Sequence, residues 1–222
     1  MNHDPYAATH ALFSELVAQG VDHVLVSPGS RSTPLALTAL RTEGLDVAVH
    51  LDERSAGFWA LGRARATRRP VALVCTSGTA AANYLPAVIE AHYSPTPLIV
   101  ITADRPPELR DRGAGQTIEQ PGIYGRHVRW WADLPVAGEA DPAWFAATAA
   151  RAVRAATGPS PGPVHLNWPF REPLEPTVAT APGRTTAIRL QTSVPSAASP
   201  LIDEVAELER GLVVAEIGRA HV

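Results

Sequence analysis

A strand, a loop and a helix follow one another in residues 23–34, HVLVSPGSRSTP. The apolar run His23–Val26 predicts a short buried strand, and the Ser, Pro and Gly residues after it predict a loop. Thr33 and Pro34 favour a helix start, because the first helical turn tolerates a residue without a backbone N–H. We expect this helix to end near Gly44, and the order strand, loop, helix is the repeating unit of an α/β fold.

The same alternation continues on both sides of this stretch. A first helix is expected from Pro5 to about Gly20, where the helical spacing of apolar residues stops. Strands that are apolar throughout and separated by helices indicate a mainly parallel sheet with helices on both faces. We therefore predict a doubly wound α/β fold. Further strands are expected at 46–51, 70–75, 97–102, 127–134 and 162–167, and further helices at 55–66, 79–93 and 142–157.

Four loops are expected at the carboxyl ends of the strands, where doubly wound sheets bind their ligands. Arginines occur in three of these loops, and a guanidinium binds carboxylate or phosphate through two parallel hydrogen bonds. Any one arginine alone is more typical of a surface ion pair, but three together indicate a small anionic ligand. The loops are residues 27–32, 52–54, 76–79 and 103–120.

Glu53 follows the apolar residue Leu51 and precedes a helix that is expected to begin near Ser55. One interpretation is structural, because acidic residues in a first helical turn stabilise the helix dipole. Another is catalytic, because a carboxyl group in an apolar cavity can share a proton with a ligand nitrogen. The local sequence leaves both interpretations open, and Asp52 fits the structural one.

The loop Thr76–Thr79, TSGT, joins a predicted strand to a predicted helix through small residues. Its backbone amides could approach a planar or anionic ligand. It is not a Walker loop, because the lysine and the spacing are missing. The glycines at 113–115 are not a dinucleotide fingerprint either, since Ile118 stands where that motif needs Gly or Ala.

Composition narrows the class of protein. The chain has 222 residues, a hydrophobic share of 45% and a net charge of −3, which gives no electrostatic footprint for nucleic acid. The start of the chain lacks the pattern of a secretory signal, and no apolar run approaches the roughly 20 residues of a membrane span. A cytoplasmic enzyme or binding domain is expected.

The spacing of the cysteine and histidine residues in the sequence does not match that of a metal site. The single cysteine, Cys75, ends an apolar run and is predicted to be a small buried strand residue rather than a nucleophile. The eight histidines show no paired metal-ligand spacing. A structural role is expected for His50, His92, His127 and His165.

The composition changes towards the end of the chain. We predict one domain over residues 1–175 and a linker rich in Pro, Thr, Ser and Ala over 176–200. Residues 201–215 resemble the truncated start of a second, central α/β domain. Residues 216–222, EIGRAHV, resemble a translated sequencing adapter and are expected to be a non-native tail, the alternative being a genuine short C-terminal tail.

Four motifs, taken together, resemble the 2-succinyl-5-enolpyruvyl-6-hydroxy-3-cyclohexene-1-carboxylate synthase family of thiamine-diphosphate enzymes. Their order and spacing also match, and the likeness covers roughly residues 7–175. The motifs are SPGSRSTPL at 27–35, DER at 52–54, TSGTA at 76–80 and TADRPPEL at 102–109. Shorter matches follow at 113–114, 116, 120–122 and 162–165.

The resemblance implies a transferase of menaquinone biosynthesis that decarboxylates 2-oxoglutarate and adds the succinyl unit to isochorismate. It implies that this chain contains the domain that binds the pyrimidine ring of thiamine diphosphate. The complete enzyme would be a homo-oligomer, a dimer or tetramer, with active sites between subunits. A further domain would hold the diphosphate with Mg²⁺ or Mn²⁺. No Gly-Asp-Gly segment with a downstream Asn occurs in the sequence, so the chain alone is expected to be inactive.

The resemblance also assigns roles to single residues. Glu53 would hydrogen-bond the aminopyrimidine ring nitrogen and promote the imino tautomer that activates the cofactor. Thr76, Ser77, Gly78 and Thr79 would lie near the pyrimidine. Gly115 departs from the pattern, because some members of the family carry asparagine there. The substrate pocket would be lined by Ser30, Arg31, Arg105 and Gln116, with the two arginines neutralising substrate carboxylates.

Two other functions remain open at this point. The first is a different thiamine-diphosphate carboligase, of the acetolactate-synthase type, since the wider superfamily shares the fold and the activating glutamate. The second is a noncatalytic homologue of the pyrimidine-binding domain. The serine–arginine pair at 30–31 and the RPPE motif at 105–108 favour the menaquinone enzyme.

Overall fold

The computed structural model describes residues 5–176, in which helices and strands alternate as predicted. The helices are α1 (Pro5–Ala18), α2 (Thr33–Arg41), α3 (Glu53–Thr67), α4 (Thr79–Asn83), α5 (Leu85–Tyr93) and α6 (Pro142–Thr157). The strands are β1 (His23–Val26), β2 (Asp46–Val49), β3 (Val71–Cys75), β4 (Leu98–Asp104), β5 (Trp130–Asp133) and β6 (Val164–Pro169).

The strands form one six-stranded parallel sheet in the order β2-β1-β3-β4-β6-β5. From β1 the chain moves outward to β2, and it then crosses back to place β3 on the other side of β1. The strand order therefore reverses between β1 and β3, and such a switch point opens a crevice at the carboxyl ends of the strands.

Apolar clusters fill both faces of the sheet. Phe13, Leu35 and Phe145 pack α1, α2 and α6 against one face. Ala60 and Val88 pack α3 and α5 against the other. The predicted doubly wound α/β fold with helices on both faces is confirmed.

Besides shifts of a few residues at element ends, the structure departs from the expected elements in three places. The helix expected at 79–93 is divided at Tyr84, because Pro86 has no N–H to continue the hydrogen-bond ladder. The strand expected at 127–134 shortens to Trp130–Asp133 after a 3-10 turn. The edge strand β2 is not buried, and Val49 is 60% exposed.

The expected linker, central-domain start and tail, residues 176–222, lie outside the described residues apart from residue 176. The domain boundaries therefore stay predictions. Within residues 5–176, no helix combines the length and the apolar character that crossing a membrane requires.

Candidate functional site

The loops after β1 and β3 touch each other at the switch point. A Cβ atom added to Gly29 would lie 2.4 Å from the Cβ of Thr76, far inside contact distance. Only a glycine lets the first loop approach the second this closely. The structure thus brings together two of the four loops that the sequence singled out.

We expect Gly29→Ala to lower the free energy of unfolding by about 1–3 kcal/mol, because the new methyl group overpacks this contact. Urea unfolding of the chain measures the change. Thr76→Gly removes the opposing Cβ, so Gly29→Ala should cost less when it is introduced into the Thr76→Gly variant than when it is introduced into the wild type. Gly62→Ala is the matched control, because its Cβ would meet no atom within 4 Å and the residue lies inside α3. Equal losses in Gly29→Ala with and without Thr76→Gly would contradict this contact.

Glu53 is the first residue of α3, and its neighbour Asp52 caps the helix. The Asp52 carboxylate accepts a 2.7 Å hydrogen bond from the Ser55 backbone N–H, and the hydrogen bonds from Ser55 lower the pKa of Asp52. The capping interaction therefore belongs to Asp52. Glu53 is left half-buried, with its Oε2 accepting a 3.4 Å hydrogen bond from the Asn83 side chain.

The charge of Glu53 contributes to the pKa shifts of two buried groups. Burial, and secondarily the Glu53 carboxylate, raises the pKa of the Cys75 thiol. Burial also raises the pKa of Tyr84, with smaller contributions from Cys75 and Glu53. The contact with Asn83 sets the Glu53 carboxylate beside the end of α4. Cys75 itself is a fully buried thiol, which agrees with the structural interpretation of this residue.

The loop of residues 76–79 is buried except for Thr79, which is exposed. Gly78 has φ +87° and ψ −146°, a conformation that disfavours any residue with a side chain. The Ser77 hydroxyl is buried and has no hydrogen-bond partner among residues 5–176. The loop therefore offers an unused hydroxyl beside a rigid backbone turn.

Gln116 contacts this loop. Its Nε2 donates a 3.3 Å hydrogen bond to the Ser77 carbonyl, and its own carbonyl packs against Gly78. At Gly115, an added Cβ would meet no atom within 4 Å. The asparagine of other family members would therefore begin in open space here.

The two arginines predicted to bind carboxylates have different surroundings. Arg31 is 3% exposed and donates to the Phe170 carbonyl at 2.9 Å and to the Glu172 carboxylate at 3.1 Å. Arg105 is half-buried, and its Nε has no partner in the described part of the chain. Arg105 is therefore free to meet a ligand, whereas two nitrogens of Arg31 already have acceptors. Ser30, the remaining predicted residue, is exposed at the start of a 3-10 turn.

A buried polar network beneath these loops was missed by the sequence analysis. Gln120, Asn167 and Asp104 are fully buried and hydrogen-bonded to one another in series. Burial raises the pKa of Asp104, although hydrogen bonding from Asn167 and the charge of Arg110 act in the opposite direction. The only sequence signal was that Gln120 falls in a loop at the strand ends and within the family resemblance.

No cluster of His, Cys, Asp and Glu that could hold a metal ion occurs in residues 5–176. His165 bonds the Thr102 hydroxyl at 2.8 Å inside the sheet, and the His92 carbonyl accepts a hydrogen bond from Arg129. The site offers carboxylate, amide, hydroxyl and guanidinium groups, which suit an organic ligand that carries ring nitrogens and carboxylates.

Comparison with known proteins matches residues 7–123 to the family of thiamine pyrophosphate enzymes, N-terminal TPP binding domain. The 2-succinyl-5-enolpyruvyl-6-hydroxy-3-cyclohexene-1-carboxylate synthase of Chloroflexus aurantiacus is 50% identical over 226 residues, covering 94% of this chain and 38% of that protein. The synthase of Geobacillus thermodenitrificans is 50% identical over 215 residues, covering 92% and 37%. That of Haloarcula marismortui is 60% identical over 169 residues, covering 75% and 28%.

The resemblance predicted from the four motifs is confirmed by these relatives. The chain spans less than two fifths of their lengths, at 38%, 37% and 28%.

Proposed function

Because the chain belongs to the thiamine pyrophosphate enzyme family through its N-terminal TPP binding domain, we propose that it is the pyrimidine-binding part of a 2-succinyl-5-enolpyruvyl-6-hydroxy-3-cyclohexene-1-carboxylate synthase. The complete enzyme is a transferase of menaquinone biosynthesis. It decarboxylates 2-oxoglutarate and adds the succinyl unit to isochorismate.

One observation carries the proposal: Glu53 is half-buried beside Asn83 of α4, while Asp52 supplies the helix cap. A carboxylate freed from capping can hold a proton at Oε1 or Oε2 and exchange it with a ring nitrogen within hydrogen-bond reach. The buried Ser77 hydroxyl, which has no partner in the described range, supplies a further donor or acceptor for a pyrimidine. The Glu53 carboxylate and the Ser77 hydroxyl are hydrogen-bonding groups of the kind that an aminopyrimidine can pair with.

In this proposal, different residues of the chain transfer the proton and position the cofactor ring. Thiamine diphosphate supplies the electron sink for decarboxylation and carbon–carbon bond formation, and the protein supplies orientation and proton transfer. Glu53 would hold a proton and exchange it with the ring nitrogen of the bound cofactor. The protein surface that packs against the pyrimidine ring would be formed by Thr76, Ser77, Gly78 and Thr79.

Substrate binding is assigned to the other side of the site. Arg105 pairs with a substrate carboxylate through its free guanidinium edge, and Gln116 and Ser30 offer neutral hydrogen-bonding groups nearby. Arg31 acts on a carboxylate only through the nitrogen that Phe170 and Glu172 leave unused, or after Glu172 moves away.

The proposal includes parts outside the described residues. Residues 1–175 form the pyrimidine-binding domain, 176–200 a linker and 201–215 the start of a central domain, with 216–222 non-native. A domain beyond this chain holds the diphosphate with Mg²⁺ or Mn²⁺. The enzyme is a cytoplasmic homo-oligomer, a homodimer or a larger assembly, and the chain alone is inactive.

The alternative within the family is a carboligase of the acetolactate-synthase type, because the matching family model describes thiamine pyrophosphate enzymes in general. Identities of 50% and 60% to synthases of the menaquinone type favour the first assignment. A noncatalytic homologue is the remaining possibility, and it predicts no downstream catalytic domains.

The test starts from the genomic sequence downstream of the codon for Ala215. It should encode a central domain and a diphosphate-binding domain, and the complete product should release CO₂ from 2-oxoglutarate and consume isochorismate. The expected product is 2-succinyl-5-enolpyruvyl-6-hydroxy-3-cyclohexene-1-carboxylate. Turnover of pyruvate alone would favour the acetolactate-type enzyme, and an immediate stop codon after this chain would favour the noncatalytic homologue.

A further inference from the structure

We propose that Gln120 is a positioning residue that fixes the loop of residues 76–79 to the carboxyl ends of β4 and β6, and so sets the surface against which the cofactor ring lies. This inference rests on the proposed function for its kinetic consequences. Its structural part, the hold of Gln120 on the loop, stands on the contacts alone.

The Gln120 amide is fully buried and uses both of its ends. Its Oε1 accepts a 3.0 Å hydrogen bond from the Gly78 backbone N–H. Its Nε2 donates to the Ala103 carbonyl at 2.9 Å and to Asn167 Oδ1 at 2.7 Å. A reversed amide would set its NH₂ group against the Gly78 N–H, so the three contacts fix one orientation.

Asn167 extends the connection to the substrate side of the site. Its Nδ2 donates to Asp104 Oδ2 at 2.9 Å and to Asp133 Oδ1 at 2.7 Å. The other oxygen of Asp104 accepts a 2.7 Å hydrogen bond from the backbone N–H of Arg105. One series of hydrogen bonds therefore runs from Gly78 through Gln120 to the residue that carries the free guanidinium.

Within residues 5–176, Gln120 Oε1 is the only acceptor for the Gly78 backbone N–H. The neighbouring contact, from Gln116 Nε2 to the Ser77 carbonyl, is longer at 3.3 Å and acts on a different residue. Without Gln120, a buried N–H would lose its partner at a residue with a left-handed φ, and the loop would move to regain a partner. That movement displaces Ser77 and Thr79, the residues proposed to face the ring.

Gln120→Met removes the three hydrogen bonds while it keeps the length and volume of the side chain. Thr102→Val is the matched control, because the Thr102 hydroxyl donates to the same Asn167 Oδ1 at 3.0 Å but does not touch the loop. Far-UV circular dichroism and urea unfolding of Gln120→Met establish that this variant still folds, so that a changed exchange rate at Gly78 can be attributed to the loop.

The structural readout is amide hydrogen exchange at Gly78, followed by NMR on the 222-residue chain. Gln120→Met should accelerate exchange at Gly78 by about tenfold or more, whereas Thr102→Val should change it by less than about threefold. Unchanged exchange at Gly78 in Gln120→Met overturns the inference. So does an equal acceleration in Thr102→Val, because the effect would then be general loss of stability.

The kinetic readout is the apparent KM for thiamine diphosphate in the complete enzyme. Gln120→Met should raise it by roughly tenfold and raise the KM values for the two substrates by clearly less, because the displaced loop faces the cofactor and reaches the substrate side only through Gln116. A uniform rise of all three KM values, or a change in kcat alone, overturns the kinetic part. A wild-type enzyme that does not use 2-oxoglutarate contradicts the proposed function instead, and the Gly78 exchange result would still decide the role of Gln120.

Discussion

Glu53→Gln should lower kcat of the complete enzyme by about 10²- to 10⁴-fold, the size of effect expected when a positioned general acid–base group is lost. Glutamine keeps the shape of the side chain and can still meet Asn83, but it cannot hold and release the proton at the ring nitrogen. The fold should persist, because the helix cap at this position is Asp52. Steady-state turnover of 2-oxoglutarate with isochorismate measures the loss.

Asp52→Asn is the matched control for this experiment. It removes the neighbouring negative charge and keeps a good helix cap, since asparagine caps about as well as aspartate. Its turnover should stay within about threefold of the wild type, because the helix cap is retained and Asp52 has no proposed contact with the cofactor. Near-normal turnover in Glu53→Gln would remove Glu53 from its proposed role, and an equal loss in Asp52→Asn would trace the effect to general electrostatics.

The second large effect concerns His165 and acid stability. Burial lowers the pKa of this imidazole from 6.5 to about 3. The Thr102 hydroxyl donates to Asn167, so it accepts the hydrogen bond from His165 Nε2 and leaves Nδ1 as the site of protonation. Nδ1 is buried without a partner in the described residues, and a charge there would be unsatisfied.

Acid should lower the free energy of unfolding, because His165 binds a proton more weakly in the folded chain than in the unfolded chain. The unfolded chain binds the proton near pH 6.5, whereas the folded chain binds it only near pH 3. The contribution of neutral His165 is therefore fully present above about pH 6.5 and is lost as the pH falls, by roughly 1.4 kcal/mol per unit. Between about pH 7 and about pH 4.5, this should cost about 2–3 kcal/mol of unfolding free energy.

Urea unfolding of the chain at those two pH values measures the cost. His165→Gln keeps a donor towards Thr102 and cannot take up a proton, so its loss of stability on acidification should be smaller by that same amount, about 2–3 kcal/mol. Above about pH 7 the wild type and the variant should show the same pH dependence, which serves as the control. Parallel curves through the acidic range would mean that His165 does not titrate as its burial requires.

The sequence predicted the order of elements because β1, β3 and β4 consist mostly of apolar residues and alternate with segments of helical spacing. It also led from four motifs to the enzyme family. The exposure of the edge strand β2 could not be predicted, because a short apolar segment does not show whether other elements cover both faces of the strand. The division of the helix at Tyr84 could have been predicted, because Pro86 is visible in the sequence.

The candidate site was predictable where its residues lie in strand-end loops, as with Glu53 and Arg105. It was not predictable where a role depends on contacts between distant parts of the chain. Arg31 is separated from Glu172 by 141 positions, and Gln120 from Asn167 by 47. Neither pairing has a local pattern, so the sequence could place Arg31 in the pocket without showing that its guanidinium already has acceptors.

The most direct test of the central claim is the distance between Glu53 and the cofactor in a crystal structure of the complete enzyme with thiamine diphosphate. One carboxylate oxygen should lie about 2.6–3.2 Å from the aminopyrimidine ring nitrogen, the range of a hydrogen bond that can transfer a proton. A ring nitrogen bonded to another residue, with Glu53 out of hydrogen-bond reach, would contradict the claim.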